Sequence, residues 1–284
     1  MSEVIPLEDS WVDVLRKARK GLSLAPGELE RRSGLSCAEI ASLEAGNLKH
    51  ETLGKLAITL GLDPIRLLAL ARSEYHPGKL KLPLGILMFS TPWHEYEVNS
   101  FLVWDSQAES PSPAAAFDTG ADASDMIGFL RVHHLALTQV FLTHGHGDHV
   151  FDLERLLEKS HAHAWIGTGE EFPAVESLKT FEAGREFFVG SLRIETRSTW
   201  GHTAGGITYV IHGLARPVAI VGDSLFAGSM GGPIVSYKAC LENNRREILS
   251  LPADTLLCPG HGPLTTVALE RENNPFFGDL DFLE

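Results

Sequence analysis

The chain has 284 residues, 44% of them hydrophobic and 21% charged, with a formal net charge of −13 at pH 7. That length has room for about two domains, the balance is that of a globular protein, and no apolar run approaches the ~20 residues of a membrane span, so no membrane partner is expected. The start, Met1-Ser2-Glu3-Val4-Ile5-Pro6, lacks the basic region and apolar core of a signal peptide, and Cys37, Cys240 and Cys258 lie too far apart for a disulfide framework or zinc knuckle; a cytoplasmic protein with reduced thiols is expected.

The first 75 residues read as short amphipathic helices with no strand pattern. Ser10 and Asp13 cap a helix running to about Lys20. A second runs from Gly27 to Ser33, with Pro26 near its first turn. After the turn Gly34-Leu35, the capping box Ser36-Cys37-Ala38-Glu39 opens a third, ended by Gly46. A fourth spans about Glu51 to Leu60, and Asp63-Pro64 opens a fifth, through about Arg72. The pattern Gly34-Leu35-Ser36, Ile40, Leu43-Glu44-Ala45-Gly46, Thr52-Leu53-Gly54-Lys55-Leu56-Ala57 and Leu60-Gly61-Leu62 resembles a Cro/repressor-type (XRE) helix-turn-helix domain over about residues 10–72. The resemblance implies a recognition helix carrying Ser36, Ala38 and Glu39, and a symmetric homodimer. Phosphate contacts would fall to the basic cluster Arg16, Lys17, Arg19 and Lys20, joined by Arg31 and Arg32. That recognition helix offers no Arg, Lys, Asn or Gln for bidentate base contacts, and acidic and basic groups nearly balance over this stretch. DNA binding and a pure dimerisation or docking role both stay open.

Residues 73–79 read as a linker by their polarity and the break Pro77-Gly78, dividing the chain into 1–75 and 77–284. His94, beside Trp93 and ahead of the first strands, is a loop residue or lines a pocket mouth. Residues 106–113 read as a hairpin tip, and His133-His134 close a helix. The β-formers of 137–142 make a strand, and 150–157 carries apolar residues at helical spacing. Between them lies Thr143-His144-Gly145-His146-Gly147-Asp148-His149. Neutral imidazole and carboxylate are ligands for zinc and similar first-row metals, and packing gives no reason to gather them so. His144 and His146 alternate along an extended segment and can point one way, while adjacent Asp148 and His149 face a second ion. His161-Ala162-His163 has similar spacing but no carboxylate close behind it, and reads as a partly exposed strand edge. Further on, His202, Asp223 and His261 each follow a strand-like stretch and are flanked by glycine. Ligands gathered from several strand ends at one rim of a sheet make a site.

The motif His144-x-His146-x-Asp148-His149, with His202, Asp223 and His261 in that order, resembles the metallo-β-lactamase fold superfamily over about residues 85–277. The stretches Gly222-Asp223-Ser224-Leu225-Phe226-Ala227-Gly228-Ser229 and Pro259-Gly260-His261-Gly262-Pro263-Leu264-Thr265-Thr266, and the tail Asn274-Pro275-Phe276-Phe277, resemble the glyoxalase II-like hydrolases. The resemblance implies an α/β (α+β) architecture: an αββα sandwich behind an N-terminal all-α helix-turn-helix domain. It implies two divalent ions, zinc first, with iron or manganese as alternatives. One takes His144, His146 and His202, the other Asp148, His149 and His261, and Asp223 bridges. Asp148 and Asp223 stand as the catalytic carboxylates. Asp118, in Phe117-Asp118-Thr119-Gly120, matches a position that supports the metal loop, or is an ordinary turn aspartate. Tyr237 and Lys238 are candidates for the tyrosyl and basic contacts that related enzymes place around glutathione.

The expected activity is hydrolysis of a small-molecule thioester or related ester by a metal-activated water. A mononuclear-iron persulfide dioxygenase using His144, His202 and Asp223, and a metabolite-sensing transcriptional regulator, are the alternatives. Since every expected ligand lies beyond His76, removal of residues 1–75 is expected to leave the metal chemistry largely intact.

Overall fold

A computed structural model describes residues 5–172, 175 and 177–278. Five helices come first: α1 (Trp11–Gly21), α2 (Pro26–Ser33), α3 (Cys37–Glu44), α4 (His50–Thr59) and α5 (Pro64–Ala71). The capping chemistry sets their starts. Ser10 and Asp13 form a reciprocal capping box on α1, as do Ser36 and Glu39 on α3, and Asp63 caps Ile65 and Arg66 on α5. Gly34 closes α2 in the left-handed conformation that glycine adopts at no steric cost.

A first six-stranded sheet follows, in chain order: β1 (Ile86–Trp93), β2 (Tyr96–Trp104), β3 (Ser112–Phe117), β4 (Leu135–Phe141), β5 (His163–Gly167) and β6 (Leu178–Phe181). The pairs β1–β2 and β2–β3 are antiparallel hairpins; β3 to β6 run parallel. Parallel neighbours need crossovers, and α6 (Ser124–Val132), the short α7 (Gly147–Val150) and α8 (Leu153–Ser160) supply two of them. The second sheet contains β7 (Glu186–Val189), β8 (Leu192–Ser198), β9 (Ile207–His212), β10 (Val218–Gly222), β11 (Leu256–Pro259) and β12 (Thr265–Thr266). Between β10 and β11 run α9 (Tyr237–Asn243) and a π-helical turn, Asn244–Ile248; α10 (Val267–Asn273) and a 3₁₀ turn, Pro275–Phe277, close the fold.

Period-two alternation sorts side chains between layers. Phe101, Phe117 and Phe141 of the first sheet meet Ile194, Tyr209 and Ile220 of the second in the inter-sheet core. Leu102, Ala116 and Val140, one residue out of phase, pack outward under α6 and α8. On the second sheet Val210, Ala219, Val221 and Leu257 also face outward. Leu15, Leu29, Leu53, Leu56 and Leu67 of the N-terminal helices share one continuous apolar core with them, with α1 packed on α9 and α5 on the Pro275–Phe277 turn.

The connector at 73–79 is therefore not free-running. Tyr75 is 6% exposed, and its hydroxyl donates to Glu270 Oε1 at 2.6 Å. Glu270 also accepts from Thr265, Asn274 and the Gly228 amide. Asp63 N–H donates to Pro275 O at 2.9 Å, and Lys17 Nζ to Met230 O at 2.8 Å. The expectation that removal of residues 1–75 leaves the metal chemistry largely intact has to reckon with this seam, because sequence position says nothing about what a helix covers. Among the described residues no helix is long and apolar enough to cross a membrane.

Candidate metal centre

Seven side chains from four strand or loop ends converge at one rim of the sandwich. His144, His146, Asp148 and His149 come from the turn after β4, His202 from the loop between β8 and β9, Asp223 from the end of β10, and His261 from the end of β11. Their ligating atoms form two groups, His144–His146–His202–Asp223 and Asp148–His149–His261. In the first, His146 Nδ1 lies 3.0 Å from His144 Nε2 and 3.1 Å from His202 Nε2. In the second, His261 Nε2 is 3.2 Å and His149 Nε2 3.7 Å from Asp148 Oδ2. Asp223 faces both. Its Oδ2 lies 3.5 Å from His202 Nε2, and its Oδ1 lies 3.3 Å from His149 Nε2 and 3.5 Å from His261 Nε2.

The opposite ring nitrogens are held from outside. His149 Nδ1 is 2.8 Å from Asp118 Oδ2, His202 Nδ1 is 2.7 Å from Gly232 O, and His261 Nδ1 is 2.6 Å from Glu97 O. Each such contact fixes a proton on Nδ1 and turns the Nε2 lone pair inward, as metal-ligating histidines require. Asp118 does more than shape a turn. Its carboxylate accepts the Thr143 amide at 2.7 Å and the Thr143 hydroxyl at 2.8 Å, tying the ligand loop to β3. It does so at φ 56°, a conformation costly for a residue with a side chain.

These residues fit divalent cations. His149 Nε2 and Asp223 Oδ1 are buried with no hydrogen-bond partner, although unpaired buried polar atoms cost about 1–3 kcal/mol each. His146 Nδ1 lies within 3.1 Å of both His144 Nε2 and His202 Nε2, which suits shared coordination. A Cβ on Gly260 would strike Asp223 Oδ1 and the His149 ring, so only glycine lets β11 approach this closely.

The electrostatics agree. Burial, aided by His149 and His202, holds His144 well below the usual imidazole range, in the neutral form a metal needs. Burial opposes ionisation of Asp223, but His261 and His149 outweigh it and hold the carboxyl well below its usual range. Burial likewise opposes a charge on His261, yet Asp223 and Asp148 push it up to about 8. Negative potential that attracts a proton attracts a divalent ion more strongly.

Several contributors carried no motif. Glu170 accepts the Gly145 amide at 2.9 Å and the Gly205 amide at 2.7 Å, bracing two ligand loops at once. Tyr96 stands edge-on to His261 at 5.1 Å, and Phe226 at 5.8 Å from the other side. A carboxylate in an irregular loop has no periodicity to betray it; only the fold brings these groups to the site. His161 and His163 are exposed, and the described metal-competent groups do not include them. Tyr237 packs on Gly21 and Phe276, and Lys238 pairs with Glu242, so neither faces the centre.

The candidate DNA contacts do not form one outward set. Lys17 turns inward to Asp9, Met230 O and the Phe226 ring. Arg19 pairs with Glu44, and Arg31 and Arg32 both pair with Glu28. Ser36 and Glu39 are engaged in capping α3. Arg16, Lys20 and Ala38 are exposed.

A family model described as the metallo-beta-lactamase superfamily matches residues 95–261. Hydroxyacylglutathione hydrolase GloC of Haemophilus influenzae is 28% identical over 209 residues, which cover 65% of this chain and 95% of that protein. The probable metallo-hydrolase YqgX of Bacillus subtilis is 27% identical over 197 residues, 62% of this chain and 90% of its own. The crystal structure of ETHE1 from Myxococcus xanthus superposes with a TM-score of 0.56 at 25% identity, covering 66% of this chain and 83% of that one.

Proposed function

The chain belongs to the metallo-beta-lactamase superfamily, and from that premise we propose that it is a dinuclear metal hydrolase acting on a thioester or related ester. The observation that carries this is Asp223, whose two oxygens face two separate ligand groups and so suit a bridge between ions. Paired divalent ions, when bound, polarise a substrate oxygen and lower the pKa of a water to about 7. His144, His146 and His202 hold one, Asp148, His149 and His261 the other, with zinc first among the metals and iron or manganese next. Water adds to the acyl carbon, the C–S bond breaks, and thiol and carboxylic acid leave, with no serine or cysteine nucleophile. The names of relatives, hydroxyacylglutathione hydrolase and metallo-hydrolase, support the same chemistry.

Elemental analysis of metal-replete protein should give close to two ions per chain, with acyl thioester hydrolysis. Asp223→Ala should cost both ions and more activity than loss of any one histidine. A stoichiometry fixed at one, with oxygen consumed on a persulfide and no thioester turnover, would transfer the site to mononuclear iron chemistry.

For the N-terminal helices we propose self-association, supported by Ile58 and Ile65, 49% and 80% exposed on α4 and α5. The mass in solution tests it: twice 31.0 kDa is expected. With its basic side chains largely paired, this unit should bind duplex DNA weakly, only at low salt and without sequence preference.

A further inference from the structure

One opening gives onto the metal centre at His146 and His202, and a second lies beside Gly262, next in the chain to His261. The first, about 440 Å³, is lined by His146, His202, Glu170, Glu171, Ile234 and Val235. The second, about 510 Å³, lies against the His261 end and is lined by Ile5, Glu8, Glu95, Tyr96, Glu97 and Gly262. One of its walls is the segment that leads into α1. Glu8 lies beside the His261 end: its backbone packs on Gly262, and burial raises its carboxyl pKa while His261 nearby lowers it. Among the described residues lining either opening there is no lysine or arginine. Lys17 lies behind this wall, held by Asp9 and the Met230 carbonyl. Tyr237 and Lys238, the other candidates for an anionic substrate, face elsewhere.

Apart from the bound metal ions themselves, the walls of both openings are therefore unsuited to a leaving group that carries two carboxylates. Glutathione brings two carboxylates against a single ammonium, so its thioesters are net negative. Placed in either opening, they would meet Glu170 and Glu171, or Glu8, Glu95 and Glu97, with no described cation to receive them. Like-charge juxtaposition in a partly dry cleft costs several kcal/mol, and discrimination by repulsion needs no attractive contact at all. A neutral thiol escapes the cost, and a cationic one gains from the same carboxylates. Ile234 and Val235, 61% and 51% exposed beside His146 and His202, offer apolar surface to the rest of the substrate.

We propose that Glu8 and Glu171 are specificity-determining residues which select thioesters of neutral or cationic thiols and reject glutathione conjugates. This rests on the thioester hydrolase reading above. It also gives the N-terminal segment a part in substrate choice.

The test holds the acyl group constant and varies the thiol: butyrylthiocholine, S-butyryl-N-acetylcysteamine and S-butyrylglutathione, on the full-length, metal-replete protein. The glutathione thioester should show the lowest kcat/KM, by at least about tenfold against the thiocholine ester at low salt, and the gap should narrow as salt is raised. Glu8→Lys and Glu171→Lys should each shift the ratio toward the glutathione thioester. Because the ratio is taken within one protein, partial loss of folded enzyme does not disturb it, and the salt series needs no variant. A glutathione thioester hydrolysed as well as the other two, or a ratio indifferent to both salt and charge reversal, overturns the proposal and leaves the hydrolase reading standing. Hydrolysis of none of the three by protein with two bound ions removes that reading and this inference with it.

Discussion

At the scale of single residues, the centre depends on groups that never touch a substrate. Asp118 gathers three donors, and one of them is the Nδ1 proton of His149. Asp118→Ala should lower metal affinity about 10–100-fold, as loss of a ligand's orienting partner does elsewhere. Competition with a chelator, read by metal content, checks it, and an unchanged affinity would reduce Asp118 to a turn residue. The protonation pattern sets a pH dependence. Ligand imidazoles must be neutral, so metal binding releases protons and affinity falls as pH falls. The carboxylates that push His261 up to about 8 make its proton the stronger competitor, whereas burial keeps His144 free of one. Proton competition should therefore set in at higher pH for the Asp148–His149–His261 group than for the His144 group, and dialysis at stepped pH should release its ion first. Metal content that falls from two to zero in one step would contradict this.

At the scale of elements, the unexpected piece is the junction between α5 and β1. Composition marks 73–79 as a linker, yet Tyr75 plugs a buried polar cluster around Glu270. Burial raises the Glu270 carboxyl, while Thr265, Tyr75, Asn274 and the Gly228 amide favour its charged form. Tyr75→Phe keeps the ring and removes one of those donors. It should destabilise the protein by about 1–3 kcal/mol, the cost of a buried group left short of a partner. Urea unfolding measures it, and a change within error would mean that water replaces the hydroxyl. The capping boxes at Ser10 and Ser36 show the opposite case, since both are local, read from four residues, and present where those residues place them.

At the scale of the molecule, the N-terminal helices and the sandwich share a core rather than a hinge. Val210, Ala219, Val221 and Leu257 belong to one apolar core with Leu15 of α1 and Leu67 and Leu70 of α5. Full-length protein should therefore melt in one cooperative transition. A chain beginning at residue 76 should lose solubility and metal, because its outward sheet face would stand open to water. Calorimetry of the full chain and metal content of the truncation decide the matter. Two resolved transitions, or a soluble truncation with full activity, would show that the helices are dispensable.

The sequence by itself determined what is local. The caps of α1, α3 and α5, the strands ahead of the ligands, and the cluster from His144 to His149 all depend on residues within a few positions of one another. Backbone hydrogen bonding and ligand chemistry act over that range. His202, Asp223 and His261 were legible as well, because glycine-flanked polar residues at apolar strand ends have few other uses. Only the tertiary structure decided which outer surfaces meet. Hydrophobic burial is non-directional, so the apolar stripes of α1 and α4 state that something must cover them and not what. The same holds for charge: Lys17 looks like part of a basic patch in the sequence and faces Asp9 in the fold. Glu8, Glu170 and Glu171 line the openings near the centre from distant loops, across distances that no spacing rule encodes. The ligands were a matter of chemistry and could be read; the walls around them are a matter of packing and had to be seen.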